Sequence, residues 1–310
     1  MANVSSAFSV GPLVELEPVV AKFLDRHLAT AKEWFPHDYV PWNRGRDFTD
    51  APWQPADSTL SPAARTALEL NLLTEDNLPY YHLALWGLFG GEGAWGEWAR
   101  RWTAEEGRHS IAIRDYLLLT RAVDPVALER ERMDHVSRGF YPRGMAGPLD
   151  GLVYVTLQEL ATRIAHRNTG ALTGDPIAER LLVRVALDEN LHYTFYRDVA
   201  AAAIELDASA MVLAMKRQVL GFAMPGLELR GFRERAITIA AAGVYDLRIH
   251  HDQVLCPVLL NHWKLRALRG LSDEAERARD DVLGFLENLG GTHAKPERDR
   301  GPTEVTAPPE

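Results

Sequence analysis

Two tetrapeptides carry the first chemical signal: Glu106-Gly107-Arg108-His109 and Glu189-Asn190-Leu191-His192. Residues three apart on a helix leave the same face, so each motif offers a carboxylate and an imidazole side by side. That pair suits a divalent cation. One such tetrapeptide is weak evidence, because a lone Glu-x-x-His on a helix is ordinarily surface charge.

The surroundings of both motifs are apolar at helical spacing. Trp102, Glu106, His109, Ile113 and Tyr116 step along one helix, and Leu182, Val185, Glu189, His192 and Tyr196 along another. Each Glu/His pair therefore lies in the stripe that should face a core. An unpaired buried carboxylate costs several kcal/mol or takes up a proton. Two further glutamates stand in register. Glu75 precedes Glu106 by 31 residues and lines up with Leu68 and Leu72, and Glu159 precedes Glu189 by 30 and lines up with Leu152 and Val155. Two copies of helix(Glu) followed by helix(Glu-x-x-His) form the ligand plan of carboxylate-bridged two-metal bundles. The expected ligands are Glu75, Glu106, His109, Glu159, Glu189 and His192. Four carboxylates and two imidazoles suit iron or manganese, and the absence of thiolates argues against structural zinc.

These residues need long helices to hold them, and strand signals are scarce. Ser61-Pro62 opens a helix that runs to the glycine-rich stop Gly87–Gly93, kinked at Pro79, which lacks the N–H that would bond the Glu75 carbonyl. Further helices are expected over 93–120, 125–137, 149–169, 176–206, 208–222, 229–265 (interrupted near Gly243) and 272–289, after an N-terminal one over Leu13–Phe35. No internal linker is apparent, so residues 1–290 read as a single domain. Residues 291–310 are Gly, Pro and charge and read as a disordered tail.

Composition narrows the function classes. The 310 residues are 46% hydrophobic, with a net charge of −9, and that charge argues against general nucleic-acid binding. No apolar run is long enough to span a membrane, and no secretory leader is evident. A soluble, cytoplasmic protein is expected. Cys256 is the only cysteine, so one chain can hold neither a disulfide nor a Cys₄ cluster. Electrons for any redox reaction must come from another protein. The remaining histidines, His27, His37, His82, His135, His166, His250, His251, His262 and His293, lack matched carboxylates and read as surface or core residues.

Longer blocks around the ligands carry a resemblance. Trp102-Thr-Ala-Glu-Glu-Gly-Arg-His109, Gln158-Glu159-Leu-Ala-Thr162 followed by His166-Arg-Asn-Thr169, Asp188-Glu189-Asn-Leu-His192, and Leu73-Thr-Glu75-Asp-Asn-Leu-Pro79 resemble blocks of the soluble acyl-[acyl-carrier-protein] desaturases, the actinobacterial members included. The resemblance covers the chain from about Trp34 to at least His192. It implies an all-α fold: a ferritin-like di-iron four-helix bundle core extended by additional helices. It further implies two Fe2+ per subunit, O2 as co-substrate, and electrons from reduced ferredoxin and its reductase. The reaction would place a cis double bond in a saturated acyl chain carried by acyl carrier protein. Thr162 matches a threonine that assists oxygen activation. Trp34 and Asp188 match an electron path from the surface to a ligand histidine. A homodimer is the family expectation.

An acidic chain that meets an acidic carrier protein needs a local basic dock. The candidates are Lys216, Arg217, Arg230, Arg233 and Arg235, or Lys264, Arg266 and Arg269. The rival readings are a hydroxylase, a desaturase of a specialised carrier-bound metabolite, or a non-catalytic ferritin-like metal-binding protein. The segment after Leu206 matches the family blocks less clearly.

Overall fold

A computed structural model describes residues 11–139, 144–223 and 226–293, and it contains helices and turns with no strand among the described residues. The helices are α1 (Gly11–Thr30), α2 (Pro62–Glu75), α3 (Leu78–Phe89), α4 (Gly93–Leu119), α5 (Pro125–Arg138), α6 (Pro148–Thr173), α7 (Pro176–Leu206), α8 (Ala208–Leu220), α9 (Phe232–Ala241), α10 (Leu247–Ile249) and α11 (Asp273–His293). Helix α10 continues directly into a π-helical stretch, His250–His262, closed by the Trp263 N–H on the Val258 carbonyl five residues back.

Several starts follow one rule. Ser61, Asp124 and Asp175 each precede a proline and accept a backbone N–H of the first turn with their side chain. The cap satisfies an orphan donor, and proline removes another while presetting the helical φ. The N-terminal helix ends at Thr30, short of the expected Phe35. Pro36 holds Phe35 extended, and Trp34 lies beyond the helix in the connecting segment.

The main correction concerns the helix expected to run through Pro79. It breaks instead of kinking. Helix α2 ends at Glu75, Asp76 and Asn77 turn, and α3 restarts with Pro79 in its first turn. The Asn77 carbonyl accepts from Tyr80 N at 2.9 Å, and its buried side chain bonds the His135 ring at 2.7 Å. Glu75 is thereby a helix C-terminal residue, with a hydrogen-bonded turn at its back. At the other end of the chain α11 continues to His293, and the rest of the expected tail lies outside the described residues.

Helices α2, α4, α7 and α6 pack in a ring, each against two of the others. Two apolar clusters fill that ring. One holds Leu68, Leu72, Ile113, Tyr116, Leu182 and Val185. The other holds Trp98, Trp102, Val155, Leu160 and Tyr196. The six candidate ligands lie at the boundary between the two. Helix α1 packs on α4 and α7, and α8, the π-helical stretch and α11 pack together beside α6 and α7. No helix among the described residues is long and apolar enough to cross a membrane.

Candidate metal centre

Each ring helix delivers its glutamate or Glu-x-x-His pair to one place. Glu75, Glu106, His109 and Glu189 offer ligand atoms within 4.8 Å of one another, and so do Glu106, Glu159, Glu189 and His192. The two groups share Glu106 and Glu189. All six side chains are buried. The shared carboxylates divide their oxygens between the imidazoles. Glu106 turns Oε2 to His109 Nδ1 at 3.1 Å and Oε1 to His192 Nδ1 at 2.8 Å. Glu189 turns Oε1 to His109 Nδ1 at 3.4 Å and Oε2 to His192 Nδ1 at 3.7 Å. Glu75 Oε2 lies 3.7 Å from His109 Nδ1, and Glu159 Oε2 3.6 Å from His192 Nδ1.

The atoms that face inward lack ordinary partners. Glu106 Oε1, Glu159 Oε2, both oxygens of Glu189 and His192 Nδ1 are buried without a hydrogen bond. Native interiors rarely leave such groups unpaired. Carboxylate oxygens and imidazole nitrogens converging from four helices fit a site for cations. The titration behaviour agrees. Burial, reinforced by the Glu189 charge, pushes the Glu159 carboxyl well above the usual carboxylate range. Burial would lower His109 and His192, but the surrounding carboxylates, Glu106 foremost, push both well above the ordinary histidine value. Without metal, this cluster satisfies its charge with protons.

A second layer holds the ligands from behind. Trp102 Nε1 donates to Glu159 Oε1 at 3.0 Å, and His166 Nε2 to Glu75 Oε1 at 2.8 Å. His166 Nδ1 accepts from Asn71 Nδ2 at 3.1 Å, which fixes the His166 tautomer. The far nitrogen of His109, Nε2, faces Asp188 Oδ2 at 3.5 Å. Asp188 Oδ2 also accepts from Trp34 Nε1 at 2.7 Å and from Arg108 at 2.9 Å, while Oδ1 accepts from Arg184. Burial would raise Asp188, but His109 and the arginine charge hold it down at about 2. The Arg108 and Arg184 guanidinium carbons lie 4.9 and 5.6 Å from the Trp34 ring centre. Trp34 is 5% exposed, so it sits beneath these arginines and not at the surface itself.

On the opposite side the far nitrogen of His192, Nε2, bonds Glu105 Oε2 at 3.0 Å. His27 Nε2 reaches the same oxygen at 2.9 Å, and Arg101 holds Oε1 at 2.7 Å. His27, Glu105 and His192 form a third close group. Its geometry is that of two N–H donors on one carboxylate oxygen.

Sequence reasoning brought the six candidate ligands, Trp34 and Asp188 to this place. It missed Glu105, and it read His27 and His166 as ordinary residues. A usable signal was present: an acid stands directly before the glutamate of both motifs, Glu105 before Glu106 and Asp188 before Glu189. Thr162 lies one turn from Glu159 on α6. Its hydroxyl donates to the Gln158 carbonyl at 2.9 Å and accepts from the Gln158 amide at 3.1 Å. A cleft of about 340 Å³, lined by Leu78, Pro79, Ser110, Arg132, Met133 and Val136, reaches Glu75 and Asp76 at the α2–α3 break.

Comparisons with known proteins agree with this architecture. The fatty acid desaturase family model matches residues 10–305. The DesA1 protein of Mycobacterium tuberculosis, provisionally named an acyl-[acyl-carrier-protein] desaturase, is 46% identical over 287 residues, covering 89% of this chain and 85% of DesA1. The chloroplastic stearoyl-[acyl-carrier-protein] 9-desaturase of Simmondsia chinensis is 31% identical over 299 residues, covering 89% of this chain and 71% of that protein. The X-ray structure of the M. tuberculosis DesA2 protein, named with the same reserve, superposes with a TM-score of 0.69 at 28% identity, covering 86% of this chain and 99% of DesA2. The all-α, ferritin-like bundle extended by further helices is thus the fold of this chain and of that relative.

Proposed function

The chain belongs to the fatty acid desaturase family, and we propose that it introduces a cis double bond into a saturated acyl chain held on acyl carrier protein, using O2 and a di-iron centre. The observation that carries this reading is the pair of overlapping carboxylate–histidine groups that share Glu106 and Glu189. Glu75 and His109 would hold one Fe2+, Glu159 and His192 the other, and the two shared glutamates would bridge them. Bound there, the iron pair supplies the oxidising power to remove hydrogens from two adjacent methylenes.

The protein's own part is to orient and to insulate. Glu105 and Asp188 fix the two imidazoles so that Nδ1 faces the centre. Trp102 and His166 fix the carboxylates of Glu159 and Glu75. Trp98, Trp102 and Tyr196 exclude water on the His192 side. Trp34 and Asp188 would conduct electrons from reduced ferredoxin, served by its reductase, to His109. Thr162 is proposed to assist oxygen activation, with its hydroxyl turning from Gln158. The apolar walls of the cleft that reaches Glu75 support entry of a hydrocarbon.

The surface bears on the proposed partners. Several cations offered as a carrier-protein dock are already paired: Lys216 with Asp281, Arg217 with Asp150, Arg235 with Glu131 and Arg266 with Glu287. The dock is therefore narrowed to Arg233, or to Lys264 and Arg269, since Arg230, though 83% exposed, lies 3.7 Å from Asp134. Leu83 and Trp86 of α3 and Ile111 of the adjacent α4 are 57%, 37% and 52% exposed. These exposed apolar side chains support a homodimer. The proposed compartment is the cytoplasm.

The test is product analysis. Stearoyl- and palmitoyl-carrier protein would be incubated with this protein, ferredoxin, its reductase, NADPH and O2. An alkene with two fewer hydrogens is expected. A hydroxylated product alone, or no product from an iron-loaded protein, overturns the reading.

A further inference from the structure

The two carboxylates behind the imidazoles are arranged crosswise. Asp188 lies on α7 beside Glu189 and backs His109 of α4, whereas Glu105 lies on α4 beside Glu106 and backs His192 of α7. Each outer carboxylate thus ties one ligand helix to the other. Asp188 is held by Trp34, Arg108 and Arg184. Glu105 has a different guard, and one member of it comes from outside the ring.

That member is His27 of α1. It is 4% exposed, and its Nε2 lies 2.9 Å from Glu105 Oε2. Its Nδ1 is buried with no hydrogen-bond partner. A polar ring buried with one nitrogen unsatisfied is costly, and an apolar side chain would fill this place without that cost. Packing alone therefore does not account for it. The ring meets Trp98 edge-on at 5.0 Å and stacks beside His192 at 5.9 Å.

The pulls on Glu105 explain the need. Arg101 bonds Oε1, Arg108 lies 3.9 Å from the same oxygen, and their side chains are 41% and 22% exposed. Both draw the carboxylate outward. His27 is the counterweight: it holds Oε2 inward, where that oxygen also meets His192 Nε2 at 3.0 Å. With Nε2–H bonded there, His192 presents the Nδ1 lone pair to Glu106, Glu159 and Glu189.

We propose that His27 is a positioning residue for the His192 end of the centre, acting through Glu105, so that a helix outside the bundle sets the affinity and geometry of one of the two metal places. The inference rests on the two-metal reading. The test is anaerobic Fe2+ titration of the full chain with chelator competition, together with Mössbauer spectra that resolve the two ions. His27→Phe should weaken one ion by about 10–100-fold and alter one spectral component, as outer partners of metal ligands do. His27→Gln, which keeps an N–H donor, should stay within about threefold of wild type by the same logic. Glu105→Gln should resemble His27→Phe.

If wild type fails to bind two ions, the two-metal reading itself fails. If wild type binds two and His27→Phe binds both unchanged, the role of His27 is refuted. If His27→Phe does not fold, His27→Gln decides. Wild-type affinity and spectra support positioning through the donor, and a loss equal to that of Glu105→Gln overturns it.

Discussion

On the His109 side of the centre, the backing carboxylate Asp188 is surrounded by Trp34 and two arginines, and the neighbouring ligand Glu75 ends its helix at a turn that a cleft reaches. On the His192 side, the backing carboxylate Glu105 meets another buried histidine, and Glu159 sits mid-helix under Trp102, within the cluster of Trp98 and Tyr196. The inner contacts repeat from one side to the other, while the surroundings do not. A duplicated ligand plan sets what can be bound, and the unlike surroundings divide the labour. Arginines flank both outer carboxylates, but one side adds an indole and a cleft, and the other is packed with aromatic rings.

The largest expected effect comes from the residues the two sides share. Glu189→Ala or Glu106→Ala should abolish binding of both ions, a loss of more than about 100-fold, since outer partners alone are worth about 10–100-fold. Glu75→Gln and Glu159→Gln should each spare the opposite ion. Metal analysis of the four variants reads this directly, and loss of both ions in Glu75→Gln would break the division into sides.

Next comes the outer layer of the open side. Asp188→Ala leaves two guanidinium groups without their buried partner, so about 3–5 kcal/mol of stability should go, visible in denaturant unfolding. Trp34→Phe should keep full metal content and slow reduction by ferredoxin about 10–100-fold in stopped-flow absorbance. If it instead lowered metal content and left reduction untouched, the open side would have no part in electron delivery.

Protons give a third comparison. His109 and His192 are pushed well above the ordinary histidine value by the surrounding carboxylates, and Glu159 well above the usual carboxylate range by burial, so all three are biased toward holding protons in the metal-free protein. Metal must displace these protons. Affinity should therefore rise with pH through neutrality by about tenfold per pH unit for each proton released. Calorimetry in buffers of different ionisation enthalpy counts them, and a pH-independent affinity between pH 6.5 and 8 would contradict the charge balance described here.

The smallest effects should come from single donors. Trp102→Phe and His166→Phe each remove one hydrogen bond to a ligand carboxyl group, worth about 0.5–1.5 kcal/mol. Each should weaken a different ion, on the His192 and His109 sides respectively.

The inner set was legible in the sequence for a physical reason. A buried ligand must obey the helical period and carry the right chemistry, and Glu106, His109, Glu189 and His192 do both within one apolar stripe each. The matched distances of Glu75 and Glu159 repeat that double constraint. The outer layer obeys neither. Glu105 sits beside Glu106 and reads as surface charge, and its partner His27 lies 78 residues away on another helix. Nothing local links the two, because tertiary packing alone creates that contact. The break after Glu75 was hidden because the apolar period continues across Asp76 and Asn77. The paired state of Lys216 and Arg217 depends on α11 and α6 lying alongside α8, which no spacing along the chain reveals.

The central claim is that two ions share Glu106 and Glu189. Mössbauer and magnetic measurements on the iron-reconstituted wild-type chain test it most directly. Two irons per chain, magnetically coupled through the shared carboxylates, are predicted. One iron per chain, or two that behave as independent ions, would contradict it.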